Sequence, residues 1–199
     1  MSQQISYQIG NALYPSINDR CTLECQFCPK TRGDLHVQGY DLTMDHRPTA
    51  REIIDSVDNP AAYDEIVFCG YGEPTLRLKT LLEVARELKK HHALIRLNTD
   101  GLGNLVHKRN ILPELSEVVD AVSISMNAQD EATYNRHCQP QLPGSYEAML
   151  DFVRLAPAYI KKVTASAIHG LDGVDIAACR ARAAALGVNF RQRELDRVG

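Results

Sequence analysis

The chain contains no apolar stretch long enough to span a bilayer, which excludes a transmembrane helix. It also lacks a basic excess: 22 Lys and Arg stand against 25 Asp and Glu, for a formal net charge of −3. No field of positive charge is available to hold nucleic acid by bulk electrostatics, although a local basic patch is compatible with that balance. The start, Met1-Ser2-Gln3-Gln4-Ile5, has neither the basic opening nor the apolar run of a secretory signal. These absences lead us to expect a cytoplasmic protein, in which thiols stay reduced. There is no internal repeat and no low-complexity tract. With 199 residues, 44% hydrophobic and 24% charged, the sequence suits one domain with its own core, spanning residues 1–199.

Cysteine is scarce outside one stretch. Three of the six cysteines lie in Cys21-Thr22-Leu23-Glu24-Cys25-Gln26-Phe27-Cys28, separated by three and then two residues. Thiolates are soft ligands that suit zinc, copper(I) and iron–sulfur clusters. Four extended residues span about 13–14 Å, so the loop must wrap a compact object if all three sulfurs are to reach it. A cubane iron–sulfur cluster is such an object, and it normally takes four cysteines. Three would leave one iron open to a small molecule. The competing arrangement is a helix carrying the cysteines at i, i+4 and i+7 on one face. Pro29, a helix stopper directly after Cys28, speaks against it. Cys69, Cys138 and Cys179 are scattered and read as small buried residues.

Along the chain, strands alternate with helices. Residues 12–18 read as a first strand, with Pro15 marking an edge position or a bulge. Residues 29–48 form a long aperiodic segment of the kind compact domains keep for function. Thr49-Ala50-Arg51-Glu52 is a capping box that opens a helix ended by Asn59-Pro60. Glu65-Ile66-Val67-Phe68-Cys69 is the apolar run of a strand buried on both faces, followed by the turn Gly70-Tyr71-Gly72-Glu73-Pro74. Leu78, Leu81, Leu82, Ala85 and Leu88 recur at helical spacing. His91 and His92 close that helix and read as solvated. Further strands over 94–98, 119–126, 162–168 and 188–193 interleave with helices near 105–116, 130–137, 145–156 and 172–186. Pro113 should interrupt or kink the first of these helices. Asp172 should cap the last, and Gly187 close it.

This rhythm predicts an α/β fold of parallel strands joined by right-handed crossovers. Six units in this length suit an open, partial β/α barrel resembling a TIM barrel, rather than a closed eight-stranded one of about 250 residues. A doubly wound sheet is the alternative. In both, the site lies at the carboxyl ends of the strands. Those ends carry the cysteine loop, Gly72-Glu73-Pro74, Asn98-Thr99, and Ser125 with Asn127.

Cys21-x3-Cys25-x2-Cys28, with Phe27 just before the last cysteine, resembles the signature of radical S-adenosylmethionine (SAM) enzymes. Gly72-Glu73-Pro74 after the second strand resembles that superfamily's glycine–glutamate motif. More narrowly, the stretches Tyr14 to Pro29, Gly39-Tyr40, Val67 to Leu76, Arg96 to Thr99 and Ser123 to Ala128 resemble the small TatD-associated radical SAM proteins. That likeness extends over nearly the whole chain. It implies that Cys21, Cys25 and Cys28 hold three irons of a [4Fe-4S] cluster, while the fourth chelates the amino and carboxylate groups of S-adenosyl-L-methionine. One electron from the reduced cluster would split the sulfonium into methionine and a 5′-deoxyadenosyl radical, which takes hydrogen from a substrate. The resemblance places Phe27 beside the adenine. It places Gly72, Glu73 and Pro74 at the methionyl amino group, largely through backbone oxygens. Thr99 and Ser125 fall at the ribose or carboxylate, with Asn98 and Asn127 as further candidates. It also implies a low-potential electron donor such as flavodoxin or ferredoxin, and a functional link to a TatD-type hydrolase. Ile168-His169-Gly170 matches the adenine contact incompletely and is not carried over.

No second cysteine cluster follows Cys179, so no auxiliary iron–sulfur centre is expected, and no span is left for a cobalamin domain. A shortened barrel leaves a lateral opening suited to a large or exposed substrate, a macromolecule or a partner protein. Arg191 and Arg193 share one face of the last strand, where they could hold an anionic group or simply keep a solvated edge from aggregating. Two readings without SAM chemistry compete with the enzyme. A structural zinc module would take its fourth ligand from His36, His46 or Cys69. An electron-transfer iron–sulfur protein would need a fourth cysteine ligand and would have no use for Gly72-Glu73-Pro74.

Overall fold

In the computed structural model, which describes residues 3–195, the chain begins with a hairpin. Strand β1 (Ser6–Ile9) pairs antiparallel with β2 (Ala12–Pro15), from Ser6↔Pro15 to Ile9↔Ala12. The connection is Gly10-Asn11. Gly10 sits at φ +60°, a conformation that a two-residue hairpin turn requires and that glycine adopts without strain. The cysteine loop comes next, then a 3-10 turn at Pro29–Arg32 and a short ribbon of β3 (His36–Val37) and β4 (Tyr40–Asp41). Helix α1 (Ala50–Asp55) follows. Its Thr49–Glu52 capping box is reciprocal, with Thr49 N donating to Glu52 Oε2 at 2.8 Å and Glu52 N to Thr49 Oγ1 at 3.2 Å.

From there the chain repeats strand and helix. The order is β5 (Glu65–Phe68), α2 (Leu78–Lys89), β6 (Ile95–Thr99), α3 (Gly103–His107), α4 (Leu112–Ser116), β7 (Ala121–Asn127), α5 (Glu131–Cys138), α6 (Ser145–Leu155), β8 (Lys162–His169), α7 (Ile176–Ala185) and β9 (Asn189–Glu194). The sheet order is β1-β2-β5-β6-β7-β8-β9, and every pair except β1–β2 is parallel. β1 and β9 are its two edges, so the sheet is open. The fold is therefore the expected partial barrel of six parallel strands, with one antiparallel strand added at its edge.

Side-chain alternation along the strands divides the molecule into two faces. Ile66 and Phe68, Ile95 and Leu97, and Val122 and Ile124 point one way and form one core with Leu81 and Leu88 of α2 and Phe152 of α6. Burying each such side chain contributes about 1.5–3 kcal/mol. The opposite, inner face is polar. Asn98, Ser123, Ser125, Ser166, Arg191 and Arg193 lie along a cavity of about 260 Å³. A closed β/α barrel fills that space with branched aliphatic side chains. Here the wall is built to face something polar.

The structure departs from the sequence reading in five places. The first strand has a partner, β1, which takes the edge; β2 lies second in the sheet. Pro15 is tolerated there because the β2–β5 ladder breaks after Leu13↔Ile66 and resumes only at the isolated bridge Ser16↔Cys69. The segment 29–48 is not structureless, since it holds the Pro29–Arg32 turn and the β3–β4 ribbon. One helix near 105–116 is two, because Lys108 at φ +53° ends α3 and Pro113 sits in the first turn of α4, where its missing N–H is not needed. The cap of the last helix is Asp175, whose carboxylate accepts from Ala178 N at 3.0 Å, and not Asp172. Finally, Cys69 is not core. Phe68 turns to the helices, so the next residue turns to the cavity, which half-buried Cys69 lines.

Candidate cofactor site

Residues 21–28 contain no helix, which excludes the arrangement of three cysteines along a helical face. The loop is held from outside by the end of α5. Glu24 N donates to Cys138 O at 3.1 Å, Gln26 N to His137 O at 2.9 Å, and Gln141 N to Thr22 O at 2.9 Å. Leu23 is the buried anchor. Cys28 N donates to Cys25 O at 3.0 Å, folding the second half of the loop back on itself. All three cysteines are half-buried and free.

The surroundings of Cys21 and Cys25 favour the protonated thiol while no metal is bound. Burial, then the neighbouring Asp100 carboxylate, pushes Cys21 up to about 12. A hydrogen bond with Cys138, then burial, pushes Cys25 up further. Metal coordination deprotonates such thiols outright. Among the described residues, no group of three or more His, Cys, Asp or Glu converges on a single ion. A cubane cluster, which takes one thiolate per iron, does not ask for that convergence.

The turn after β5 is fastened to the run into this loop. Glu73 N donates to Arg20 O at 2.7 Å, and Asn18 Nδ2 donates to Glu73 O at 3.0 Å and to Arg20 O at 2.9 Å. A Cβ at Gly72 would lie 2.6 Å from the Asn18 carbonyl carbon and 2.8 Å from Arg20 O. Only glycine lets the two backbones pack this closely. Glu73 is 4% exposed, not a surface carboxylate. Its Oε1 accepts from Thr75 N (3.0 Å), Thr75 Oγ1 (2.6 Å) and Thr99 Oγ1 (2.8 Å), and its Oε2 from Asp100 N (2.8 Å). Asp100 in turn accepts from Thr22 Oγ1 at 3.1 Å and stands 3.9 Å from Cys21 Sγ. The turns after β5 and β6 and the cysteine loop are thus one hydrogen-bonded unit. Burial, then Glu73, pushes the Asp100 carboxyl well above the usual range.

The remaining residues named from the sequence fall into two groups. Asn98 and Ser125 line the cavity, Asn98 accepting from Arg96 Nη1 at 2.7 Å. Thr99, Asn127 and Phe27 are turned into their neighbours. Thr99 bonds Glu73, and Phe27 packs half-buried against the core. Asn127, at φ +62°, accepts from Arg193 Nη2 at 2.6 Å and donates Nδ2 to Cys138 Sγ at 3.4 Å. Pro74 opens a 3-10 turn and is buried. Sequence reasoning missed Asn18, Asp100 and Cys138. Asp100 carried a signal, the Thr99-Asp100-Gly101 turn, in which its Oδ1 caps Leu102 N at 2.8 Å. Asn18 and Cys138 carried none, since their contacts are long-range.

An open, parallel β/α sheet with a three-thiol loop stapled to the next strand's turn defines an enzyme core built around a soft metal centre. The sequence model of the Radical SAM superfamily matches residues 16–181, and the chain belongs to that superfamily. Over 118 residues it is 30% identical to the probable dual-specificity RNA methyltransferase RlmN of Trichodesmium erythraeum (strain IMS101). That match covers 55% of this chain and 31% of the relative, so the chain spans about a third of the curated protein it matches. SuiB from Streptococcus suis, solved with its precursor peptide SuiA, superposes with a TM-score of 0.71 at 12% identity, covering 94% of this chain and 39% of SuiB. TYW1, solved with a lysine-pyruvate adduct, gives 0.66 at 14% identity, covering 94% and 66% of the two chains. These likenesses establish the fold. Enzymes of the superfamily use a [4Fe-4S] cluster and SAM, and the residues present fit both: reduced, half-buried thiols on a wrapped loop, beside a glycine turn with no room for a side chain. The zinc-module and electron-transfer readings are not favoured.

Proposed function

We propose that this chain reductively cleaves SAM and uses the resulting 5′-deoxyadenosyl radical to take hydrogen from a substrate. One observation carries the reading. Within the family-matched span, the residues that lead into the three-cysteine loop, Asn18 and Arg20, are fastened to the Gly72-Glu73 turn. Cys21, Cys25 and Cys28 would hold the cluster. When bound and reduced, the cluster supplies the single electron that splits SAM. The chain's own residues position what it acts on. Gly72, Glu73 and Pro74 would offer backbone oxygens to the methionyl ammonium. Asn98 and Ser125, on the cavity wall, would hydrogen-bond the ribose or carboxylate. Thr99, Asn127 and Phe27 would hold that wall and the loop in register.

The finer assignment is to the small TatD-associated radical SAM proteins, with residues 1–199 as a single radical SAM domain and a functional link to a TatD-type hydrolase. Six free cysteines and a cluster that needs low-potential electrons favour a reducing compartment, the cytoplasm, with flavodoxin or ferredoxin as donor. The opening between the edges β1 and β9 gives a large substrate a side route to the cavity. An RNA methyltransferase relative favours a macromolecule on that route.

Anaerobic reconstitution tests the proposal. The wild-type chain should bind about four irons and, with strong reductant, release 5′-deoxyadenosine and methionine from SAM. The triple variant Cys21→Ala, Cys25→Ala, Cys28→Ala should do neither. Zinc without iron and sulfide, or SAM bound but never cleaved, would reject it.

A further inference from the structure

The six cysteines have three different surroundings. Cys21, Cys25 and Cys28 sit on the loop that would wrap the cluster, and Cys138 and Cys179 are buried in the core. Cys69 belongs to neither group. It is a free, half-buried thiol on the wall of the inner cavity, and the chain runs from it straight into the Gly70-Tyr71-Gly72-Glu73 turn proposed to hold the methionyl end of SAM. A second, independent observation says that a ligand belongs in this cavity. Arg193, four strands away in the sheet order, lines it too. Its Nη2 donates to the Asn127 amide oxygen at 2.6 Å, while its Nε is buried with no partner. Leaving a buried donor of a charged group unmade is costly, so this one marks the place of an acceptor oxygen on a bound molecule. The Arg193 charge and the Cys69 sulfur act on each other electrostatically, so the open donor and the thiol face the same space.

A thiol S–H bond is weaker than an alkyl C–H bond, so a thiol that touches a carbon radical gives it a hydrogen atom downhill. We propose that Cys69 is a catalytic residue that donates a hydrogen atom to the product radical, with the Arg193 Nε holding an oxygen of the same molecule. This rests on the SAM-cleaving reading and adds the second half of that reaction. The 5′-deoxyadenosyl radical breaks one substrate C–H bond, and the substrate radical rearranges or inverts. A new C–H bond then forms as the Cys69 S–H bond breaks, leaving the unpaired electron on sulfur. The thiyl radical returns to the thiol by taking one electron from the low-potential donor that reduces the cluster and one proton from solvent. The substrate is neither oxidised nor reduced overall. The reaction class is therefore an isomerisation or epimerisation, with a new hydrogen that comes from solvent by way of sulfur.

The test needs no substrate. Cluster-reconstituted protein is equilibrated in D2O, where the Cys69 thiol becomes S–D while carbon-bound hydrogens stay as they are, and is given SAM and dithionite. With the cavity empty, the 5′-deoxyadenosyl radical should take its hydrogen from Cys69, and the wild type should release 5′-deoxyadenosine carrying one deuterium by mass spectrometry. The 5′-deoxyadenosine that Cys69→Ala and Cys69→Ser release should carry none, since neither a methyl C–H nor a serine O–H supplies an exchangeable, weakly bound hydrogen. Tyr7→Phe and Tyr71→Phe remove the exchangeable phenols of the same cavity and should keep the label. Iodoacetamide, applied to the cluster-loaded protein without SAM, should alkylate Cys69 alone. Unlabelled 5′-deoxyadenosine from the wild type, label that survives in both Cys69 variants, or label lost in the tyrosine variants overturns the inference and leaves SAM cleavage standing. A Cys69 that iodoacetamide does not reach also overturns it, whether or not SAM is cleaved. No 5′-deoxyadenosine from any of these proteins fails the proposed activity itself, and this inference with it.

Discussion

The Thr99 hydroxyl, at the carboxyl end of β6, donates to Glu73 Oε1 across 2.8 Å, joining the turns that follow two adjacent parallel strands. The same carboxylate receives three further hydrogen bonds, one of them from the Asp100 backbone N–H. Glu73 is therefore first a structural residue. Its side chain is taken up by these four protein donors, while the backbone of its turn is bonded to the run into the cysteine loop, Glu73 N donating to Arg20 O. The glycine–glutamate motif needs a carboxylate here because no neutral side chain accepts four donors at one point.

Glu73→Gln should destabilise the protein before any cofactor is added. The amide can keep its oxygen toward Thr75 and Thr99, but its NH2 then meets the Asp100 N–H, donor against donor. Loss of one charged hydrogen bond and an orphaned buried donor cost about 1.5–3 kcal/mol, and Glu73→Ala should cost more. Urea melts of the metal-free protein measure this. Unchanged midpoints would show that the network contributes no stability.

Gly72→Ala should act by overlap with backbone. The new methyl would meet the Asn18 carbonyl carbon at 2.6 Å and Arg20 O at 2.8 Å, and neither can swing aside as a side-chain tip would. Overpacking of this kind costs about 1–3 kcal/mol, and it should separate the cysteine loop from the β5 turn. Iron content after reconstitution should fall together with the melting temperature. Full iron loading at wild-type stability would mean that the two backbones can part freely.

Acid should weaken α1 through its capping box. Hydrogen bonds from the Thr49 backbone and hydroxyl, then His46, lower Glu52 from 4.5 to about 2. A folded value below the unfolded one makes a contribution that is complete above about pH 4.5 and is lost as pH falls from 4.5 toward 2. The stability difference between wild type and Glu52→Gln should therefore be largest at neutral pH and close through that window. A difference constant across it would show that the box does not form.

Much of this fold could be read from the sequence because its physical signals are local. β5 through β9 and α2 carry their apolar residues at strand or helix spacing, and turn or cap residues mark their ends. β1 could not be read so. Ser6-Tyr7-Gln8-Ile9 has too few apolar residues to announce a strand, and only the Gly10-Asn11 turn hints at a hairpin. Lys108 ended α3 by a positive φ that its residue type does not advertise. At the site, the motif residues were legible as a set, but not what their side chains do. Arg193 read either as part of an anion site or as part of a solvated edge strand; the sheet turns that face inward, so it lines the cavity and reaches Asn127.

Cys138 gives the clearest case of a role that only the fold reveals, and it carries the last prediction. It is fully buried at the end of α5, accepts from Asn127 Nδ2 at 3.4 Å, and shares a hydrogen bond with Cys25. If Cys25 holds an iron as proposed, its thiolate can only accept, and the Cys138 S–H would then be the donor. A hydrogen bond to a ligand sulfur draws charge from the cluster and raises its reduction potential. Cys138→Ala should therefore shift the midpoint to a more negative value, while Cys138→Ser, which keeps a donor, should hold or raise it. Redox titration followed by electron paramagnetic resonance reads this directly, and melts of the metal-free variants separate it from packing loss. If Ala and Ser variants titrate at the wild-type potential, the thiol behind Cys25 serves the core alone, and the path from Arg193 through Asn127 to Cys25 carries no electronic effect.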